Sequence, residues 1–255
     1  MSRDGKGERR LSDHDADASS AARLFFQIDP AWSPDGTKLA FSSRRSGSND
    51  LYVMNADGSG TRRLTSGKAD DLRPTWSPDG TRIAFARSGD IFVVSPDGSR
   101  ARSIVSSRDE ESQPAWSPDG KWIVYVRRVP DTQVSQLRLV RPDGSDDHRV
   151  TRPTSAVYTP AWSPDSRRIV FSSNRDGKVF ELFTIGLDGK KLRSVAPTLT
   201  DVFEPSWSPD GSRIAYSEEG AIAVIELGGG KVERLTSADD NDSSPTWNPK
   251  PPTDE

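Results

Sequence analysis

The apolar positions of this chain fall in short alternating runs. "KLAFS" (38–42) sets Leu39 and Phe41 on one face, and "LYVMN" (51–55) and "TRRLT" (61–65) follow it. The first type returns as "RIAFA", "WIVYV", "RIVFS" and "RIAYS", the second as "IFVVS", "LRLVR", "LFTIG" and "IAVIE". A period of two over about five residues predicts β-strands. Their β-branched and aromatic content suits a pleated, half-buried surface.

Between the runs lies a fixed string: PAWSPDG (30–36), PTWSPDG (74–80), PAWSPDG (114–120), PAWSPDS (160–166), PSWSPDG (205–211) and PTWNPKP (245–251). The tryptophans Trp32, Trp76, Trp116, Trp162, Trp207 and Trp247 are 44, 40, 46, 45 and 40 residues apart. From each of the first five to the next large aliphatic (Leu39, Ile83, Ile123, Ile169, Ile214) is always 7 residues. A second turn, Asp-Gly at 57, 97, 143 and 188 and Gly-Gly at 228, always precedes Leu64, Ile104, Val150, Val195 or Leu235 by 7, and the next Trp follows 12 later. Only the stretch from Trp to the second turn varies, through 25, 21, 27, 26 and 21 residues. All length variation therefore sits in one loop of a four-strand unit: a strand ending at Trp, then three more joined by tight turns.

A period near 40 residues with four strands predicts an all-β fold, a β-propeller of four-stranded antiparallel blades. Ser-Pro-Asp-Gly has the chemistry of a type I turn: proline fixes φ, serine and aspartate bond locally, and glycine closes. The tryptophan before it is expected to wedge between neighbouring blades.

One domain is expected over 1–255: an N-terminal partial blade (1–28), five complete repeats (29–243), and the start of a last blade with a tail (244–255). "RDGKGERRL" fits the register of the third-to-fourth strand turn, since Asp4 to Leu11 is again 7. The 8 residues after Trp247 and the 3 before Asp4 cannot supply the 21 to 27 that elsewhere hold two strands. The sixth blade is thus expected to be incomplete, or a composite to which "RLFFQI" (23–28) donates a strand; a five-bladed ring and a fragment of a longer protein remain alternatives.

The string PxWSPDGxxIAF, the DG turn and the "RRLT"-type strand resemble the TolB-like β-propeller repeat, a WD-repeat-like bacterial family, from about residue 4 to 249. The resemblance implies a protein-interaction platform, usually extracytoplasmic. Similar blades also form the propeller of prolyl-oligopeptidase-type peptidases and the body of oligogalacturonate lyases, so an enzyme-associated propeller domain is the second reading. Ser166 for glycine, "GGG" at 228–230, and Asn248 and Lys250 depart from the pattern.

Alternating strand direction places the loops after the second and fourth strands on one face, the seat expected for binding. That face carries arginines, Arg45, Arg128 and Arg175, and acidic links with Asp71, Glu111, Glu204 and Asp242. Either they form a mouth that takes a cationic or mixed-charge segment of a protein or peptide partner, or they are a solvated surface.

Charge and composition narrow the chemistry. With 35 basic and 38 acidic residues the formal net charge is −3, which offers no field for nucleic acid. "AARLFFQI" (21–28) is too short for a membrane span or signal-peptide core, so the chain as written reads as soluble and cytoplasmic, against the extracytoplasmic placement of the family. There is no cysteine, and His14 and His148 belong to no HExxH pair; GxSxG and GxxxxGK[ST] are absent. No cofactor and no catalytic residue is expected. "DHDADA" imitates the start of a calcium loop through Asp13, Asp15 and Asp17, but its sixth and twelfth positions are Ala18 and Leu24, so a solvated loop is the competing reading.

Overall fold

The computed structural model describes residues 27–247 except 178, 197–199 and 241. Five blades follow one another. The first holds β1 (Gln27–Trp32), β2 (Lys38–Ser43), β3 (Asp50–Asn55) and β4 (Arg62–Arg63). The second holds β5 (Asp71–Trp76), β6 (Ile83–Arg87), β7 (Asp90–Val94) and β8 (Arg102–Val105). β9 (Glu110–Trp116), β10 (Ile123–Arg128), β11 (Ser135–Val140) and β12 (His148–Arg149) make the third. The fourth is β13 (Val157–Trp162), β14 (Arg168–Ser173), β15 (Glu181–Gly186) and β16 (Arg193–Ala196), and the fifth β17 (Val202–Trp207), β18 (Arg213–Glu218), β19 (Ala221–Glu226) and β20 (Val232–Arg234).

Each blade is an antiparallel meander in chain order. The first strands of successive blades touch, β1 with β5, β5 with β9, β9 with β13 and β13 with β17, so they line the axis and the fourth strands form the rim. The architecture is the all-β propeller of four-stranded blades that the repeat predicts, with five blades among the described residues. Gln27 and Ile28, the end of the stretch expected to complete a sixth blade, pair with Ser43 and Ser42 inside the first blade. The rest of that stretch, with the Asp4 to Leu11 register, lies outside the described residues.

One expectation needs correction. The alternating runs imply one buried face, yet β2, β6, β10 and β14 are buried on both. The reason is that a blade is clasped between two neighbours, so the alternation is of size as well as polarity. Ile83 and Phe85 face the first blade, while Ala84 and Ala86 face the third. Trp116 of the third blade rests on those small residues, as Trp76 rests on Ala40, Trp162 on Val124 and Trp207 on Val170. These four indoles are 6% to 8% exposed, and each removes on the order of 200 Å² from water, about 5 kcal/mol by area. Trp76 and Trp162 also donate Nε1–H to the carbonyls of Ala31 (3.1 Å) and Ala115 (2.9 Å) of the preceding blade.

The turns bear out their chemistry. Ser33 Oγ donates to Asp35 Oδ1 at 2.6 Å, Gly36 N–H returns to the Ser33 carbonyl at 2.9 Å, and Gly36 has φ 69°. Hydrogen bonds from Ser33 and from the Thr37 N–H hold the Asp35 carboxyl down to about 2. Ser166, where glycine is usual, takes the same left-handed φ of 58°, and its Oγ accepts the Asp119 N–H of the neighbouring blade at 3.0 Å.

Candidate functional site

Each of the five inner strands, and the segment 242–247 after the fifth blade, has a proline two residues before its tryptophan and a variable residue just before that proline. Proline has no N–H to give to the ladder, and the pairing with the second strand slips there: between Leu72 and Thr75, for example, or Phe203 and Ser206. The preceding residues are Asp29, Arg73, Gln113, Thr159, Glu204 and Ser244, all with φ of 49° to 57°. A non-glycine residue there carries backbone strain on the order of 1 kcal/mol. The strain turns these six positions into the axial channel, where they line a cavity of about 180 Å³.

A relay of hydrogen bonds offsets the strain. The backbone N–H of four of these residues donates to the side chain of the previous sector: Arg73 to Asp29 Oδ2 (3.3 Å), Thr159 to Gln113 Oε1, Glu204 to Thr159 Oγ1 (3.1 Å) and Ser244 to Glu204 Oε2 (2.6 Å). The link from Gln113 to Arg73 is not among them, because a guanidinium has no acceptor. Arg73 instead places Nε 3.0 Å from Asp29 Oδ1 and Nη1 3.5 Å from Glu204 Oε1, joining blades one, two and five. Burial pushes the Asp29 carboxyl up, and Arg73 opposes it. One guanidinium facing two carboxylates leaves the channel wall formally anionic.

The sequence-derived candidates are not gathered in one place. Glu204 is in the channel. Asp71 and Glu111 are buried and bound within their own blades: Asp71 takes two 2.6 Å hydrogen bonds from Arg87, and Glu111 accepts from Arg127 (2.8 Å) and Ser107 Oγ (2.5 Å). Burial still raises the Glu111 carboxyl against those two partners. Asp242 is half-buried and donates its backbone N–H to the Gly220 carbonyl at 2.7 Å. Arg45 is exposed, yet its guanidinium lies 4.7 Å from the Tyr52 ring centroid, and the half-buried Arg175 lies 5.4 Å from that of Phe183. Their planar, weakly hydrated heads cover their own blades' rings. Desolvation lowers the Arg175 guanidinium.

Arg128 pairs with Glu110 on the loop face. Both border an open polar cleft of about 710 Å³ between the Ser88-Gly89 turn and the long loop bearing Asp131. His148 lies on the rim strand β12, edge-on to Trp122 at 5.1 Å. Asp13, His14, Asp15 and Asp17 lie outside the described residues, among which no group of three or more His, Cys, Asp or Glu is placed to hold a metal ion. No described helix is long and apolar enough to cross a membrane.

Asp29, Arg73, Gln113, Thr159 and Ser244 were missed by sequence reasoning. Their signal is there: DPAW, RPTW, QPAW, TPAW, EPSW and SPTW vary freely at the one position that precedes an unchanging proline.

The pattern of the TolB beta propeller domain matches residues 12–143 and 90–252. The Tol-Pal system protein TolB of Anaeromyxobacter dehalogenans (strain 2CP-C) is 51% identical over 41 residues, 16% of this chain and 9% of that protein. The matched stretch thus spans less than a tenth of that curated relative's length. A putative TolB from Agrobacterium tumefaciens superposes with a TM-score of 0.73 at 24% identity, covering 83% of this chain and 81% of that one. An oligogalacturonate lyase in complex with manganese does so at 0.62 and 19%, covering 81% and 64%. At these identities the superpositions speak to the fold.

Proposed function

The chain belongs to the TolB β-propeller domain family, and from that premise we propose that it is a non-catalytic scaffold that binds a protein or peptide partner on the loop face, around the channel mouth. The observation that carries this reading is the axial relay. A rigid, strained backbone presents one freely varied side chain per sector, and those present leave an anionic wall with Arg73 set across it. Such a wall selects a cationic or mixed-charge segment. The extracytoplasmic placement that the family resemblance implies is part of the proposal.

We read residues 242–247 as the inner strand of a sixth sector. Trp247 donates Nε1–H to the Ser206 carbonyl at 3.0 Å, as Trp76 and Trp162 do to their predecessors. Arg213 lies 5.1 Å over Trp247 as Arg82 lies 4.9 Å over Trp116. Both support a sixth sector beside the fifth blade; the N-terminal segment that would complete it as a composite blade lies outside the described residues.

Peptides selected on the wild-type protein from a displayed random library test the reading. Glu204→Gln keeps the acceptor for Ser244 N–H and removes the charge, so it should weaken the selected peptides about tenfold. Glu226→Lys, beside the turn on the opposite face, should leave them unchanged. Peptides indifferent to Glu204→Gln, or equally weakened by Glu226→Lys, overturn the proposal.

A further inference from the structure

Three aromatic rings form a row on the loop face beside the channel. Tyr158 in β13 and Phe203 in β17 each precede the bulged residue of their inner strand, and Phe180, from the loop before β15, lies between them. Its centroid is 5.5 Å from Tyr158 and 5.0 Å from Phe203. Phe180 is held from both ends, its N–H donating to Asp201 Oδ1 (2.7 Å) and its carbonyl accepting from Val202 N–H (3.0 Å). All three rings are partly exposed.

The other aromatic pairs of the described residues show what such rings take in this protein. Phe41 and Tyr52 carry Arg45, Phe85 and Phe92 carry Arg87, Phe171 and Phe183 carry Arg175, and Trp122, against His148, carries Arg141 at 3.8 Å. Among the described residues no guanidinium or ammonium lies over Tyr158, Phe180 or Phe203. Acid is nonetheless in place beside the row, with exposed Asp201 bound to the Phe180 N–H and Glu204 following Phe203. A ring face with a carboxylate at its edge is the environment a guanidinium seeks, stacking by its plane and bonding by its rim.

We propose that the Tyr158–Phe180–Phe203 row is a subsite for an arginine side chain of the bound partner segment, standing where the chain's own arginines stand over its other rings. This rests on the reading of the loop face as the partner-binding surface.

The probe is N-acetyl-arginine-N-methylamide, titrated into the isotopically labelled full chain and followed through the aromatic resonances. Tyr158, Phe180 and Phe203 should shift together, and the citrulline analogue, neutral and of the same shape, should bind about fivefold more weakly. Phe180→Leu should abolish the shifts while the rest of the spectrum stays in place. The citrulline comparison on unaltered protein needs no variant to fold. A silent row, or equal shifts with citrulline, overturns the subsite. A silent row with selected peptides that still depend on Glu204 removes the subsite and leaves the proposed function standing. A responsive row with peptides indifferent to Glu204 does the reverse.

Discussion

Replacing Arg87 with methionine keeps much of the side-chain volume and deletes both 2.6 Å hydrogen bonds to a carboxylate with no exposed surface. An ion left unpaired in such a place costs about 3–5 kcal/mol. Arg87 also lies 5.2 Å from the centroids of Phe85 and Phe92, and losing that contact adds about 0.5–1 kcal/mol. Urea unfolding at pH 7 followed by tryptophan fluorescence should therefore show Arg87→Met destabilised by about 4–5 kcal/mol. The double variant Asp71→Leu with Arg87→Met removes the stranded charge and should return to within about 1–2 kcal/mol of wild type. A loss under about 1 kcal/mol, or a double variant as poor as the single, would refute the argument.

Trp76 and Trp116 are equally buried, but Trp76 Nε1 has the Ala31 carbonyl while Trp116 Nε1 has no partner. Trp76→Phe should accordingly cost about 1 kcal/mol more than Trp116→Phe in the same unfolding assay. Gly189 has φ 72°, and a Cβ there would meet the Val150 carbonyl oxygen at 2.6 Å. Gly189→Ala should lower the thermal midpoint far more than Gly177→Ala, where φ is ordinary and a Cβ meets nothing within 4 Å. The carboxyls of Asp35 and Asp210, held to about 2 by hydrogen bonds from Ser33 and Ser208, contribute stability above their unfolded pKa that is lost as pH falls toward 2. Asparagine at both positions should flatten that acid limb in a pH series of melting curves.

What was legible in the sequence is what is decided locally. Ser33, Asp35 and Gly36 close their turn within four residues, so the strand ends followed from spacing alone. Trp76 is at a fixed offset from both strands it leans on, and its burial was foreseeable. The Asp71–Arg87 pair bridges 16 residues across a ladder whose register slips at a bulge, and an acidic link therefore read as free surface charge. The same offset recurs in Glu111 and Arg127, a hint that appears only once the register is known. The channel was invisible for a stronger reason. Arginine, glutamine, threonine and glutamate seldom take left-handed φ, and only contacts 40 to 46 residues away in sequence hold them there. Arg45 and Arg175 looked like loop charge because nothing in a linear string distinguishes a free guanidinium from one held over a ring.

The axial relay also bears on how such chains grow. Each unit but the second brings a plug, its own amide hydrogen, and a socket, the oxygen of the same residue's side chain, so copying one of those units in place leaves the joints beside it matched. Arg73 is a plug without a socket. The chain has thereby spent one joint to set a charge on its axis, and the seam between the second and third blades is where added or exchanged units would meet least resistance.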